Sequence, residues 1–205
     1  MSATAIPTEP RRDAPPTLVW AVDRADPAGC DVTAGSVGLR ALVAEANGVG
    51  HLVVDHRVLD TFSLAATALA ATTTLRVVPV VDVAGQHPFL LARATATLDH
   101  VSRGRLALAL DTTTAEPGLV VDVVTVLDEL WQSWDPAAEV QDRRSGVFAD
   151  PSLVRAVHHR GPHFSSRGPL NLPHAPQALL PLWARGPVPP ALDARFDVRL
   201  QEVRP

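Results

Sequence analysis

One segment near the middle of the chain constrains the fold more than any other: residues 86–105, followed by an apolar run at residues 106–110. Pro88 suits the first turn of a helix, where its missing N–H costs nothing and its fixed φ is already helical. Apolar side chains then recur at helical spacing, at Leu91, Ala94, Leu98 and Val101. Gly104 supplies the left-handed residue that commonly ends a helix. The segment therefore predicts a helix, a tight turn and a buried strand.

Short apolar runs alternate with amphipathic segments along the rest of the chain. Further strands are predicted at residues 17–22, 51–55, 75–81, 181–185 and 197–200, and further helices at residues 37–46, 62–71, 119–134 and 189–196. Continuous Val and Leu runs between amphipathic helices indicate parallel strands that are covered on both faces. The pattern alone leaves open whether the sheet is doubly wound or part of a (β/α)8 barrel. We expect a local bulge at Pro79, because proline is awkward in a central strand.

The pattern changes after Trp134. Residues 135–144 are rich in charge and predict an exposed loop. Residues 158–173 carry the glycine and proline punctuation of a β-ribbon, which would precede the fifth strand. Residues 1–16 contain four prolines and predict a mobile tail, which leaves residues 17–205 as one domain.

Composition narrows the class of protein. The formal net charge is −4 and all 18 cationic side chains are Arg, so no basic surface indicates binding to nucleic acid or to an anionic membrane. Cys30 is the single cysteine, which excludes an intrachain disulfide and suits a reducing compartment. The longest apolar run, residues 118–127, is interrupted by Asp122 and is too short to span a bilayer. With no signal-peptide pattern at the start, we expect a cytoplasmic protein.

Motifs within residues 86–105 resemble the third helix and fourth strand of the bacterial luciferase-like flavin monooxygenases. The motifs are His87-Pro88, Leu91-Ala92-Arg93, Leu98-Asp99 and Ser102-Arg103-Gly104-Arg105. Residues 130–134, 145–151 and 159–177 resemble one branch of that family, related to nitrilotriacetate and dibenzothiophene-sulfone monooxygenases. Residues 17–200 follow the family in order.

The resemblance implies a (β/α)8 TIM-type barrel, here incomplete, with about six parallel strands and the ribbon inserted before strand five. Active sites of such barrels collect at the carboxyl ends of the strands. Two departures stand out. A long insertion that in relatives contacts flavin and substrate is reduced to residues 111–118. The Gly- and Ser-rich turn that holds the FMN phosphate in relatives is replaced by residues 186–190, whose three prolines lack N–H donors.

The resemblance further implies a flavin-dependent monooxygenase that acts on a small organic substrate with oxygen and with reduced FMN from a separate flavin reductase. A deazaflavin is the alternative cofactor. Side chains at the strand ends would hold the flavin ring, with His56 as a general base and Arg185 beside the phosphate; the ring-holding candidates are Asp55, Asp82, Asp111 and Thr112. His87 could also reach the barrel mouth. The alternative is that Asp and His end these strands because turns favour them.

Other functions are compatible with the same sequence. A non-catalytic family member could act as a structural or regulatory partner, as a homodimer or as a heterodimer with a full-length relative that covers the open sheet edges. A fragment of a truncated gene is a third alternative. A metal site is not expected, since the spacing of His158, His159 and His163 fits no common zinc pattern. No G-x-S-x-G or G-x-G-x-x-G motif supports a serine hydrolase or a dinucleotide-binding domain.

Overall fold

The structure, a computed structural model, describes residues 19–22, 33–55 and 59–200; for residues 19–22 and Ala34 it describes the backbone alone. The predicted tail at residues 1–16, Cys30 and His56 lie outside the described residues. The described residues form two compact units. The first comprises the described residues up to Asp82, residues 105–114 and residues 180–200; the second comprises Val83–Gly104 and Ala115–Leu179.

Ten strands occur in the described residues. In chain order they are β1 (Val19–Val22), β2 (His51–Val54), β3 (Arg76–Asp82), β4 (Leu108–Asp111), β5 (Glu139–Asp142), β6 (Val147–Ala149), β7 (His158–Arg160), β8 (Ser165–Arg167), β9 (Leu182–Arg185) and β10 (Phe196–Leu200). The first unit contains a six-stranded sheet in the order β1-β2-β3-β4-β9-β10, with every neighbouring pair parallel. A doubly wound sheet would reverse its strand order partway, whereas this order is sequential, as in a barrel. The predicted incomplete barrel of about six parallel strands is confirmed.

Four helices alternate with these strands: α1 (Ala34–Ala46), α2 (Thr61–Ala71), α3 (Pro88–Ser102) and α4 (Pro117–Trp131). A capping box starts α1, since the Thr33 hydroxyl accepts a hydrogen bond from the Ser36 N–H and the Ser36 hydroxyl accepts one from the Thr33 N–H. The left-handed turn predicted at Gly104 (φ 81°) ends α3 and begins one residue earlier, at Arg103 (φ 57°). None of the described helices combines the length and apolar character that crossing a bilayer requires.

Alternate strand residues of the first unit converge on one apolar cluster around Trp183. Each buried member is at most 8% exposed; these members are Val53, Val78, Val80, Ala107, Ala109, Trp183 and Leu200. The Trp183 ring lies against the ring of His51, with centroids 5.0 Å apart. Burial, with a smaller contribution from the nearby Arg76 charge, lowers the pKa of His51 to about 4. Its imidazole is therefore neutral at physiological pH, as suits a ring packed beside an apolar core.

The bulge predicted at Pro79 is absent, and that prediction was wrong. Val77 pairs with Leu106 and Val80 pairs with Ala109, so the register of β3 against β4 is the same on both sides of the proline. Val77 exchanges hydrogen bonds with the segment leading into β4. Residues two apart face the same neighbouring strand, so Pro79 removes one bond of this ladder. The sheet tolerates that loss as a gap in the ladder and keeps its register.

In the second unit, α3 and α4 pack together and two short antiparallel hairpins follow. The Trp131 indole N–H on α4 lies 3.2 Å from the Thr95 hydroxyl and 3.3 Å from the Ala92 carbonyl on α3. Helix α4 ends at Trp131, three residues earlier than predicted, and the Trp134 indole N–H donates instead to the Leu170 carbonyl at 2.6 Å.

The hairpins lie in the region where the sequence indicated a loop and a ribbon. Strands β7 and β8 form the predicted ribbon before β9. The prediction that residues 135–144 form only a loop was wrong, because β5 lies within them and pairs with β6. The Asp142 carboxylate accepts a hydrogen bond from the Arg144 N–H, and Gly146 adopts a left-handed φ of 74°. Asp and Gly are typical turn residues, so the turn between β5 and β6 has a recognisable signal in the sequence.

Candidate functional site

Four of the predicted site residues lie at the carboxyl ends of strands in the first unit. Asp82 ends β3, Asp111 ends β4 and Arg185 ends β9, and the sheet register aligns all three. Asp55 directly follows the last residue of β2. This is the edge of a parallel sheet at which barrel enzymes build their sites.

Arg185 forms ion pairs with two of these aspartates. Its Nη2 lies 2.7 Å from Asp55 Oδ2 and its Nη1 lies 3.3 Å from Asp111 Oδ2. The side chains of Arg185, Asp55 and Asp111 are only 14%, 9% and 13% exposed, respectively. Contacts between opposite charges that are largely shielded from water are screened little by salt, so this cluster is a fixed part of the unit. Its formal charge is −1, because two carboxylates face one guanidinium.

Thr112 links the loop after β4 to the loop after β9 by hydrogen bonds. Its backbone N–H donates to the Arg185 carbonyl at 2.8 Å. Its hydroxyl lies 2.9 Å from the same carbonyl and 2.7 Å from the Pro187 carbonyl, and it has one proton to share between them. The residue is fully buried. Its hydroxyl therefore joins two loops rather than pointing to an open mouth.

Gly186 allows this close approach. It adopts φ 96°, a left-handed conformation that favours glycine. A Cβ at this position would lie 2.8 Å from the Thr113 nitrogen and 3.0 Å from the Thr112 hydroxyl oxygen. The backbone after β4 thus occupies the space immediately beside the turn after β9.

These residues do not fit a flavin phosphate at the turn after β9. Phosphate sites need N–H and hydroxyl donors or an available cation. The turn contains Pro187, Pro189 and Pro190, which have no N–H, and the guanidinium of Arg185 is already paired. Asp82 adds an exposed carboxylate one strand away. Among the described residues, the charge of these side chains and the three prolines of the turn both disfavour an anion at this position.

The two predicted histidine sites have different outcomes. His56 lies outside the described residues, so its role as a general base stays a prediction. His87 is the N-terminal cap of α3 in the second unit, where its Nδ1 accepts a hydrogen bond from the Phe89 N–H at 3.2 Å. Its ring also packs edge-on against Phe164, with centroids 5.6 Å apart. These contacts give His87 a structural role at the start of the helix.

A second cluster of titratable side chains, which the sequence reasoning missed, lies around the buried Asp122 in the second unit. His159 Nε2 on β7 lies 2.6 Å from Asp122 Oδ1, and its Nδ1 lies 3.1 Å from Glu129 Oε2. Asp122 Oδ2 also accepts the backbone N–H groups of His163 and Phe164, at 2.9 and 2.8 Å. Burial raises the pKa of Asp122, but these hydrogen bonds and the nearby His159 lower it by more, so the net shift is downward.

A signal for this cluster was present in the sequence. Asp122 interrupts an otherwise apolar run, and a carboxylate on the buried face of a helix requires partners. The ribbon supplies those partners, namely the His159 side chain and the backbone N–H groups of His163 and Phe164. Within the residues described, no three His, Cys, Asp or Glu side chains are grouped so as to hold a metal ion.

Known proteins similar to this chain cover most of its length. The sequence profile described as luciferase-like monooxygenase matches residues 32–195. A component of pristinamycin IIA synthase from Streptomyces pristinaespiralis, named as one of that enzyme's subunits, is 32% identical over 193 residues, which is 90% of this chain and 68% of that protein. Dibenzothiophene-sulfone monooxygenase from Rhodococcus erythropolis is also 32% identical, over 58% of this chain and 30% of that protein.

Solved structures agree with the strand order described above. Riboflavin lyase, solved with a modified FMN and riboflavin, aligns with a TM-score of 0.72 at 25% identity over 83% of this chain and 49% of its own. Long-chain alkane monooxygenase aligns with a TM-score of 0.70 at 21% identity, over 75% of this chain and 44% of its own. This chain therefore spans about half the length of these solved relatives. The family profile matches most of its residues, and the chain belongs to the luciferase-like monooxygenase family.

Proposed function

We propose that this chain is one component of a flavin-dependent monooxygenase, an oxidoreductase that acts on a small organic substrate with reduced flavin and oxygen. The observation that carries this proposal is the similarity to one component of a multi-subunit synthase, which runs over 90% of this chain and 68% of that protein. The flavin, when bound to the assembly, supplies the oxygen chemistry. We take FMN as that flavin, delivered reduced by a separate reductase in the cytoplasm, with a deazaflavin as the alternative.

The geometry favours a division of labour between two chains. The cationic Arg185, at the strand end where a flavin phosphate would be expected, is paired within this chain. The outer edge of β10 pairs with no other strand in the described residues, and an unpaired sheet edge favours a partner. We therefore assign the flavin site to a full-length relative, and to this chain the role of its structural or regulatory partner in a heterodimer. Since the family profile spans both compact units, residues 17–205 would act as one luciferase-like domain.

Catalysis by this chain alone is the second candidate. It is supported by membership of a family whose similar members include several named monooxygenases. In that case Asp55, Asp82, Asp111 and Thr112 would contact the flavin ring and His56 would move a proton. This function requires no different partner chain, and a homodimer would be sufficient.

Co-expression distinguishes the two candidates. The chain is produced alone and together with each full-length luciferase-like monooxygenase encoded in the same genome. Molar mass is measured by light scattering, and substrate-dependent oxygen consumption is measured with FMN, NADH and a flavin reductase. We expect one stoichiometric heterodimer whose oxygen consumption exceeds that of the full-length relative alone. A chain that pairs with no relative, yet oxidises substrate by itself, would overturn the heterodimer assignment in favour of the second candidate.

A further inference from the structure

We propose that the carboxylates of Asp55 and Asp111 have taken the place of a flavin phosphate at Arg185, so that this chain excludes phosphorylated flavins such as FMN. The inference rests on the proposed function in one respect: a flavin must be the ligand of the assembly. It goes further by stating which flavins this chain rejects and which side chains reject them.

The guanidinium of Arg185 is already occupied by two carboxylates. Arg185 uses Nη2 for Asp55 at 2.7 Å and Nη1 for Asp111 at 3.3 Å, the two nitrogens that a phosphate would engage. An incoming phosphate would have to displace at least one carboxylate that is about one-tenth exposed. The displaced carboxylate would then be left without its cation in a poorly hydrated position, which opposes the exchange.

The balance of charge at these strand ends also opposes the binding of a phosphate. Asp82 is aligned beside Asp111 in the sheet register, so the described side chains at these strand ends include three carboxylates, of Asp55, Asp82 and Asp111, and the Arg185 guanidinium. A phosphomonoester carries between one and two negative charges at neutral pH. These four side chains therefore repel it on balance, whereas they do not repel riboflavin, which has the same ring system and no phosphate.

One hydrogen-bond donor and part of the space at the turn are also taken. The Thr112 hydroxyl, which could have served a phosphate, is directed to the carbonyls of Arg185 and Pro187. The Thr113 backbone lies so close to Gly186 that even a methyl group would meet it at 2.8 Å. The side of Gly186 that faces Thr113 therefore has no room for an anion.

The test compares FMN with riboflavin, since the phosphate is the only difference between them. Calorimetry is carried out with FMN, riboflavin and inorganic phosphate on the wild-type chain and on Asp55→Asn, Asp111→Asn and the double variant. We expect the wild-type chain to bind FMN at least about ten-fold more weakly than riboflavin and to give no heat with inorganic phosphate. The double variant, in which the guanidinium is no longer neutralised, should prefer FMN by about ten-fold or more.

Arg185→Met in the double-variant background is the matched control. It keeps both asparagines and removes the cation, so the gained preference for FMN should disappear. A wild-type chain that prefers FMN by about ten-fold, with the preference lost in Arg185→Met, would overturn the inference. So would a folded double variant with no gain. If the double variant fails to fold, the ratio of FMN to riboflavin affinity in the wild-type chain and in the two single variants still decides whether these carboxylates exclude FMN.

These outcomes are separate from those of the heterodimer assignment. Heterodimer formation is read from molar mass and does not depend on flavin. A chain that pairs with a full-length relative but binds FMN through Arg185 contradicts the present inference alone. A chain that rejects FMN and pairs with no relative contradicts the heterodimer assignment alone.

Discussion

His159 Nε2 lies 2.6 Å from Asp122 Oδ1, and this contact joins the β7–β8 ribbon to the buried face of α4. The other ring nitrogen lies 3.1 Å from Glu129 Oε2. Asp122, whose side chain is 2% exposed, also accepts the two backbone N–H groups of the ribbon turn. These contacts attach the β7–β8 ribbon to α4.

Asp122→Ala should lower the free energy of unfolding at neutral pH by about 1–3 kcal/mol, because His159 and two backbone N–H groups would lose their shared hydrogen-bond partner. The pKa of Asp122 is depressed in the folded chain, below the 3.8 of an unperturbed aspartate. Its contribution is therefore fully present above about 3.8 and is lost as pH falls through the lower, folded value. Urea unfolding at several pH values measures both effects.

Gly161→Ala should destabilise the ribbon because its Cβ would overlap the Asp122 carboxylate. Combining it with Asp122→Ala removes the atoms that clash, so the two costs should not add. A double-mutant cycle in urea measures the coupling, which we expect to be in the range of about 1–3 kcal/mol. Gly35→Ala, whose Cβ would meet nothing closer than 3.8 Å, should be neutral or slightly stabilising in a helix. Additive costs at Gly161 and Asp122 would show that the glycine is required for another reason.

Much of the six-stranded sheet is predictable from the sequence because its strands are short, largely apolar runs separated by amphipathic helices. The sequential strand order and the ribbon before β9 follow from that pattern together with the family resemblance. Pro79 was misjudged because its cost depends on which neighbour its missing N–H faces, and the register alone decides this. The positions of Asp55, Asp111 and Arg185 at strand ends were predictable. Their mutual pairing was not, since it depends on the alignment of three strands far apart in the chain.

Arg185→Met should lower the free energy of unfolding by about 3 kcal/mol, because two carboxylates that are 9% and 13% exposed would lose their cation. Arg199→Met is the matched control. Arg199 pairs at the same 2.7 Å with Asp193, whose side chain is 81% exposed, so its loss should cost less than about 1 kcal/mol. Chemical denaturation of both variants at low salt gives the comparison. Equal costs for the two arginines would indicate that the Asp55–Arg185–Asp111 cluster is as hydrated as an ordinary surface pair.

Trp183→Ala should be the most destabilising single change in the first unit, at about 3–5 kcal/mol, because it removes the largest side chain of the central apolar cluster. The ring of His51 would lose its neighbour and become more hydrated, so its depressed pKa should rise towards 6.5. Thermal unfolding measures the first effect, and the proton chemical shifts of the imidazole measure the second. Phe148→Ala, at a side chain that is 55% exposed, should change the unfolding free energy by less than about 0.5 kcal/mol.

Glu45→Gln should weaken the first unit at neutral pH and have little effect in acid. The Glu45 carboxylate joins α1 to the loop before β3, where Oε1 lies within 3.0 Å of the backbone nitrogens of Thr73, Thr74 and Leu75. Hydrogen bonds from the backbone and hydroxyl of Thr74, with those of the two flanking residues, lower its pKa from 4.5 to about 2. The stability that Glu45 contributes is therefore complete above about pH 4.5 and is lost as pH falls towards about 2.

Urea midpoints of the wild-type chain and the Glu45→Gln variant should differ at neutral pH and converge across that interval. Glu116→Gln, at a helix start where the side chain makes no capping hydrogen bond, should show no comparable convergence. A constant difference between Glu45→Gln and the wild-type chain at every pH would assign the loss to altered packing instead of charge.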